Sequence, residues 1–290
     1  MSRISELFGV CTTTDAIVDW PALVSSQYCP YLRRKCLKNR KSQPDVAIGT
    51  CTVRHGANKR DVIICPFRLL ERKRVFTDCL HLLTLNEPGN DLHLLSEISI
   101  PGGNVDYVLV AARNGKVKDF VGIEFQTLDT TGTVWPERQR FLQRVGLSVL
   151  ASETESRKTF GMNWKMTAKT ILVQLHHKVQ TFESIHKHFV LVVQDHLLSY
   201  MRREFSFDHL NTARIGDPMH IHAYGLVSSG IDYRLELAER LSTDVAGIAR
   251  CLGRQASPNM ELEQIIELLE ARLSTDTLLD PLTPGGATGL

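Results

Sequence analysis

The sequence predicts an α/β fold, a mixed β-sheet flanked by helices, with a small four-cysteine region ahead of it. Three observations lead there. From about residue 86 to 230, strand-like stretches alternate with helix-like ones, the pattern of a sheet covered by helices. Residues 1 to about 85 instead carry Cys29, Cys36, Cys51 and Cys65 in a strongly basic stretch. The chain has 290 residues, 43% of them hydrophobic, enough to bury a substantial core. The expected organisation is therefore 1–85, 86–230 and a C-terminal part, 231–290.

In the first part, Met1 to Val10 includes Arg3 and Glu6 and lacks the apolar run of a signal peptide. No segment approaches the roughly 20 apolar residues of a membrane span. A cytoplasmic location and no membrane partner are expected. In a reducing cytoplasm, clustered thiols more often bind metal than form disulfides. Tyr28-Cys29-Pro30 and Ile64-Cys65-Pro66 have the look of metal knuckles, in which proline stiffens the turn beside a ligand. Four thiolates in a tetrahedral arrangement suit zinc and iron alike. Cys11, Cys79 and Cys251 are left over as ordinary buried thiols.

The net charge of +2 averages two dissimilar regions. Between Cys29 and Val75, thirteen Lys and Arg stand against Asp45, Asp61 and Glu71, a local charge of +10 that leaves −8 for the remainder. Concentrated positive charge beside a metal staple is the footprint of a surface that meets phosphates, since each neutralised phosphate releases counterions; the plainer alternative for the charge run alone is a solvated basic face with no partner. The candidates for phosphate or base contacts are Arg33, Arg34, Lys38, Arg40, Arg68, Arg72 and Arg74.

The middle part centres on Val105 to Gln126. Val105-Asp106-Tyr107-Val108-Leu109-Val110 is rich in β-branched and aromatic residues, Asn114-Gly115 is a hairpin signal, and Val117 to Gln126 is the return strand. A strict two-residue turn would set Asp106 opposite Ile123 and turn Glu124 to the other face. For both carboxylates to share a metal, an odd-length loop or a bulge is required. A three-residue loop at 114–116 would pair 106 with 124. Glu124 and Gln126, two apart, share a face in any register. Asp106 and Glu124 offer the hard oxygen ligands that hold Mg²⁺, which can activate water and offset phosphoryl charge. The plainer alternative is that these acids pair with Lys116 and Lys118.

Further along, Phe189 to Val193 is a buried core strand, and Trp135-Pro136 either enters a groove or, as an aromatic beside proline in a loop more often does, covers the core. His176, His177, His186 and His188 lie in or near a predicted helix. His220 and His222 alternate as a strand-borne metal pair would, without a visible third ligand. From Asp232 to Leu273, the positions Leu235, Leu237, Leu241, Ile248, Leu252, Ile265, Ile266, Leu269 and Leu273 recur at mostly helical spacing, broken at Pro258. A Pro/Gly/Thr-rich tail follows from Leu282 to Leu290 and is expected to fray.

Glu97-Ile-Ser-Ile, then Asp106, then Glu124-Phe-Gln126-Thr-Leu-Asp129-Thr-Thr-Gly132 resembles the active-site region of the NotI-type restriction endonucleases, within the PD-(D/E)XK nuclease superfamily. Cys29-Pro30-x-Leu32 and Cys65-Pro66-x-Arg68 match the knuckles of that family's N-terminal iron site of rubredoxin type. The stretch from Lys169 through Gln174-Leu175 to Lys178 is similar to the helix after its catalytic strands. The likeness covers about residues 28 to 200.

The resemblance implies a PD-(D/E)XK restriction-endonuclease-like fold with a small N-terminal four-cysteine metal-binding domain. Asp106 and Glu124 would ligate catalytic Mg²⁺, joined by the Phe125 carbonyl, with Glu97 as an additional carboxylate. Gln126, where most of the superfamily has lysine, would orient the attacking water. Cys29, Cys36, Cys51 and Cys65 would hold structural Fe, with Zn the alternative. The implied activity is a type II cut through double-stranded DNA, leaving 5′-phosphate and 3′-hydroxyl ends. A homodimer on a palindromic site and a companion DNA methyltransferase are implied as well. Cys36 follows Cys29 more closely than in the family, so Cys11 and Cys79 stand as alternatives to it. A nuclease of modified or branched DNA and a non-catalytic metal-stabilised DNA-binding module are the competing functions.

Overall fold

The strands of the middle part, joined by one strand from the C-terminal part, Tyr233–Thr243, assemble into a seven-stranded mixed sheet in the order Asp91–Ile100, Gly103–Arg113, Lys116–Gln126, His188–Gln194, Met219–Ser228, Tyr233–Thr243, Asn211–Thr212. The computed structural model describes residues 2–155, 160–228 and 232–253. The first three strands form an antiparallel meander. Lys116–Gln126, His188–Gln194 and Met219–Ser228 then run parallel. Parallel neighbours need long crossovers, and the helices Trp135–Arg144, Trp164–Ser184 and Asp195–Glu204 lie within them.

The expected mixed sheet with flanking helices is thus present. His188–Gln194, central and covered on both faces, is apolar without alternation, and Phe189 to Val193 are all 0% exposed. Against it packs the long helix Trp164–Ser184, through Ile171, Leu172, Leu175, Val179 and Phe182. Full burial of each such side chain contributes about 1.5–3 kcal/mol. Gly122, on the adjacent strand, makes room, since a Cβ there would stand 2.4 Å from the Phe182 ring. The helix stops where His186 takes a left-handed φ of 53° and the Lys187 amide turns back to the Phe182 carbonyl.

Ahead of this sheet, Val10–Cys11, Ile4–Leu7, Thr50–His55 and Arg60–Ile63 form a four-stranded antiparallel sheet, in that order. Beside it stands the short hairpin of Tyr28–Cys29 and Arg34–Lys35. Residues 1–253 form one compact unit. Hydrogen bonds join the N-terminal region to the large sheet, for example from the Ile63 amide to Gln194 Oε1 and from Gln194 Nε2 to the Asp61 carbonyl.

One expectation is corrected. Tyr233–Thr243 is a strand, although Leu235, Leu237 and Leu241 belong to the run of helical spacing in the sequence. Tyr233 and Leu235 are buried while Arg234 and Glu236 are exposed, the two-residue alternation of a strand. Ile248 and Leu252 do fall in a helix, Val245–Gly253. Ile265, Ile266, Leu269, Leu273 and the tail lie outside the described residues. Trp135 covers the core as expected, 7% exposed, with Arg40 and Arg138 stacked against its ring.

Candidate active site

The hairpin sets the geometry. Asn114 and Gly115, with φ of 52° and 70°, make a two-residue turn between the paired Arg113 and Lys116. After Ala112↔Val117 the register shifts, so that Ala111 faces Asp119 and Tyr107 faces Ile123. Lys118 is the extra residue of a β-bulge. The three-residue loop is therefore corrected to a two-residue turn plus a bulge. Its consequence is the one required: Asp106 falls beside Glu124, and both carboxylates turn to one side of the hairpin.

Asp106 Oδ2 accepts a hydrogen bond of 2.7 Å from the Phe125 amide. Burial pushes the Asp106 carboxyl above its ordinary range and the charge of Glu97 adds to the rise, against the opposing effects of the Phe125 amide and Lys178. Glu124, 7% exposed, is raised by burial first and by Asp106 second. Glu97 belongs to the edge strand, where the pairs Val105↔Ile98 and Tyr107↔Ser96 bracket it opposite Asp106. It is exposed and holds a left-handed φ of 55°, a strained conformation for a residue with a side chain. Gln126 Nε2 donates to the carbonyl of its neighbour Thr127, at 2.6 Å.

Glu124 Oε1 accepts a hydrogen bond of 2.6 Å from Lys178 Nζ, and both side chains are buried. Glu124 Oε2 is also buried and has no hydrogen-bond partner. An orphaned carboxylate oxygen next to a second carboxylate suits a divalent cation, which would satisfy the lone pairs and offset the repulsion. Lys116 and Lys118, the partners considered from sequence, are exposed on the far part of the hairpin. Lys178 takes that place instead. In the sequence it stands out only as part of a helix. The legible signal is its position three residues after Leu175 and four before Phe182, a cation on the buried face.

The four cysteines lie in the N-terminal region, with Cys65 lining the cleft that reaches Phe125 and Gln126. Cys29 ends the first strand of the short hairpin and Cys36 follows its second, where its amide bonds the Gln27 carbonyl; Cys51 lies in Thr50–His55, and the Ile64 amide, next to Cys65, bonds the Cys51 carbonyl. All four are buried and free of disulfides. Burial, first of all, raises Cys29, Cys51 and Cys65, the last to about 11. Proximity adds to it: Cys36 raises Cys29 and Cys65, and Cys65 and Cys29 raise Cys51. Opposing this, the amides of Leu32 and Tyr31 favour a Cys29 thiolate, that of Phe67 a Cys65 thiolate and that of Gly9 a Cys51 thiolate. Among the described residues, no three His, Cys, Asp or Glu side chains stand in a metal-holding arrangement.

The family model for restriction endonuclease NotI matches residues 26–217. The chain belongs to the NotI restriction endonuclease family. No curated protein matches it. Membership makes it a restriction enzyme, a site-specific deoxyribonuclease, and so a DNA-binding protein. The range matched in the NotI family contains all four cysteines as well as Glu97, Asp106, Glu124, Gln126 and Lys178.

A NotI-family enzyme must also present a cationic face to DNA. A cleft of about 650 Å³ runs from Phe125, Gln126 and Asp129 past Cys65 and Pro66 to Lys38. A second, of about 850 Å³, is lined by Arg33, Arg72 and Lys73, exposed cations that all hold left-handed φ values. Of the other cations expected to meet DNA, Arg34 and Arg74 are exposed, whereas Lys38 donates to the Ile64 carbonyl and Arg40 pairs with Glu153. Arg68 is corrected outright. It is 0% exposed, paired with Glu6 and Glu71, and therefore structural.

His176 and His177 lie on the long helix just ahead of Lys178, whereas four other histidines gather at the sheet. His220 and His222 are buried on Met219–Ser228, with the rings of His188 and His81 near them. No described helix is long and apolar enough to cross a membrane.

Proposed function

We propose that this chain is a type II endonuclease that cuts double-stranded DNA at a specific, palindromic site by Mg²⁺-dependent phosphodiester hydrolysis, with a PD-(D/E)XK core. The observation that carries the reading is the pair Asp106 and Glu124, brought together by the bulge, with Glu124 Oε2 buried and unpartnered. These two carboxylates, with the Phe125 carbonyl, would hold Mg²⁺, and Glu97 adds a third carboxylate. The cation, when bound, lowers the pKa of water and neutralises charge on the phosphoryl oxygens.

The residues of the chain supply the rest. Gln126, two positions on from Glu124, would orient the attacking water, giving up its bond to the Thr127 carbonyl. Arg33, Arg72 and Lys73 hold the phosphate backbone. In-line attack by water leaves a 5′-phosphate and a 3′-hydroxyl. A homodimer matches the two-fold site, and a companion methyltransferase protects host DNA. Cys29, Cys36, Cys51 and Cys65 hold a structural Fe, with Zn the alternative, a reading supported by the amides that favour the thiolates of Cys29, Cys51 and Cys65. Seven free cysteines suit the reducing cytoplasm.

The test is incubation of wild-type and Glu124→Ala protein with a large unmethylated DNA of known sequence, with Mg²⁺ or with EDTA, followed by sequencing of the ends. Discrete ends at one recurring motif, lost with EDTA and in the variant, are expected. Equal cleavage by Glu124→Ala would sink the assignment. Duplex binding without any cut would favour a non-catalytic module or a substrate that is modified or branched.

A further inference from the structure

Lys178 occupies a position that physical chemistry disfavours unless something compensates it. It projects from the buried face of the long helix, 6% exposed, between Leu175 and Phe182. Taking an ammonium out of water costs several kcal/mol after relaxation, so lysines are almost never buried without a partner. The partner is Glu124 Oε1 at 2.6 Å, 54 residues away in sequence.

The surroundings are built to admit this side chain. The turn between the edge strand and Gly103–Arg113 is Pro101-Gly102, and with Gly103 it rests on the long helix beside His177 and Lys178. A Cβ on Gly102 would meet the His177 carbonyl oxygen at 2.9 Å, and one on Gly103 would come into van der Waals contact with Lys178 Cε at 3.4 Å. Their φ values of +99° and +129° are open to glycine. Thr181 Oγ1 ties the turn to the helix by donating to the Pro101 carbonyl at 2.6 Å. The stem of Lys178 thus passes beneath a glycine turn to reach one oxygen of one carboxylate, and the other oxygen is left without a protein partner.

We propose that Lys178 is a positioning residue of the cleavage reaction: by holding Glu124 Oε1 it fixes that carboxylate next to Asp106 and leaves Oε2 for the divalent cation. The inference rests on the nuclease reading above. With the ammonium gone, the Glu124 carboxylate is free to rotate, and a misplacement near 1 Å at a reacting centre costs about 100-fold in rate.

The experiment compares wild type, Lys178→Ala and Lys178→Met on the DNA motif that wild type cuts. Expected in both variants is a fall in kcat of about 100-fold with little change in KM for DNA. Ethylammonium added to Lys178→Ala should restore part of the rate, which a purely structural lysine would not allow. Calorimetric titration with Ca²⁺ in the absence of turnover should show weaker binding in both variants than in wild type. Should Lys178→Ala not fold, Lys178→Met, which fills the same space, carries the test. Unchanged kcat, or Ca²⁺ binding as tight as in wild type, would overturn the proposal. If wild type itself does not cleave, it is the nuclease reading that fails; cleavage by wild type and Lys178→Met at equal rates sinks only the role of Lys178.

Discussion

Arg68 Nε stands 2.9 Å from Glu6 Oε2, with both side chains fully excluded from solvent. Glu6 lies on the first strand of the chain, and Arg68 is three residues past Cys65. The same guanidinium reaches Glu71 at 2.9 Å and the Tyr233 carbonyl at 2.7 Å, while Thr52 and Tyr31 donate to the Glu6 carboxylate. This network joins the N-terminal sheet, the Cys65 knuckle and the far strand of the large sheet. Arg68→Met leaves the Glu6 carboxylate buried without its main partner, so a loss of roughly 3–5 kcal/mol is expected. Urea unfolding would show it as a lower midpoint at unchanged m-value, and a loss below about 1 kcal/mol would mean that water or relaxation relieves the carboxylate.

The exposed cations Arg72 and Lys73 separate from Arg68 by a different measurement. If the face they line meets the DNA backbone, each lost phosphate contact reduces the steepness of log K against log salt by about 0.9. Arg72→Ala and Lys73→Ala should each flatten the slope in anisotropy titrations with duplex DNA, while leaving the unfolding midpoint in place. An unchanged slope in both would remove the 850 Å³ cleft from the DNA interface.

What is legible in the sequence follows periodicity and local chemistry. The Val105–Gln126 hairpin, the core strand at Phe189–Val193 and the long helix are visible because their patterns are local. The bulge at Lys118 is not, since Asn114-Gly115 specifies the turn, whereas the extra residue is defined only by how the return strand pairs with Ala111 and Ala112 across the hairpin. Tyr233–Thr243 misleads because Leu237 and Leu241 are four apart, an interval that lines one face of a helix and of a regular strand alike, and the register shift that sends them to different cores is defined only by the pairing with Ala223 and Tyr224. Lys178 escapes notice because its partner is remote in sequence, and Arg68 is misplaced because charge counts cannot separate buried cations from exposed ones.

The histidine cluster predicts how stability depends on pH. Burial is the leading cause that lowers His220 to about 4 and His222 to about 3, with His188 adding repulsion on the first and Arg240 on the second. The backbone of Asp217 partly opposes this at His220, and His81 lowers both. In the unfolded chain both titrate near 6.5, so between there and their folded values the unfolded state binds more protons. Stability from these groups is complete above about pH 6.5 and falls as pH drops toward 4, by roughly 3 kcal/mol for His220 alone. Denaturant unfolding of wild type and His220→Gln across that range should show a smaller acid loss in the variant; parallel curves would mean that His220 accepts its proton in the folded state.

The assignment of Cys36 as the fourth thiol yields the last prediction. Cys36 stands close enough to Cys29 and Cys65 to raise both. Cys79 instead stands 3.8 Å from His222 Nδ1, and Cys11 contacts Thr13 at 3.3 Å. A four-thiolate site contributes folding free energy that a three-thiolate remnant does not match, because the metal binds the folded chain alone. Metal analysis of purified protein should find about one Fe or Zn per chain in wild type, Cys11→Ser and Cys79→Ser, and far less in Cys36→Ser. Cys36→Ser should also melt well below the other two variants. If it keeps its metal while Cys79→Ser or Cys11→Ser loses it, the fourth ligand comes from outside the short hairpin, and the Cys29 knuckle must shift to meet it.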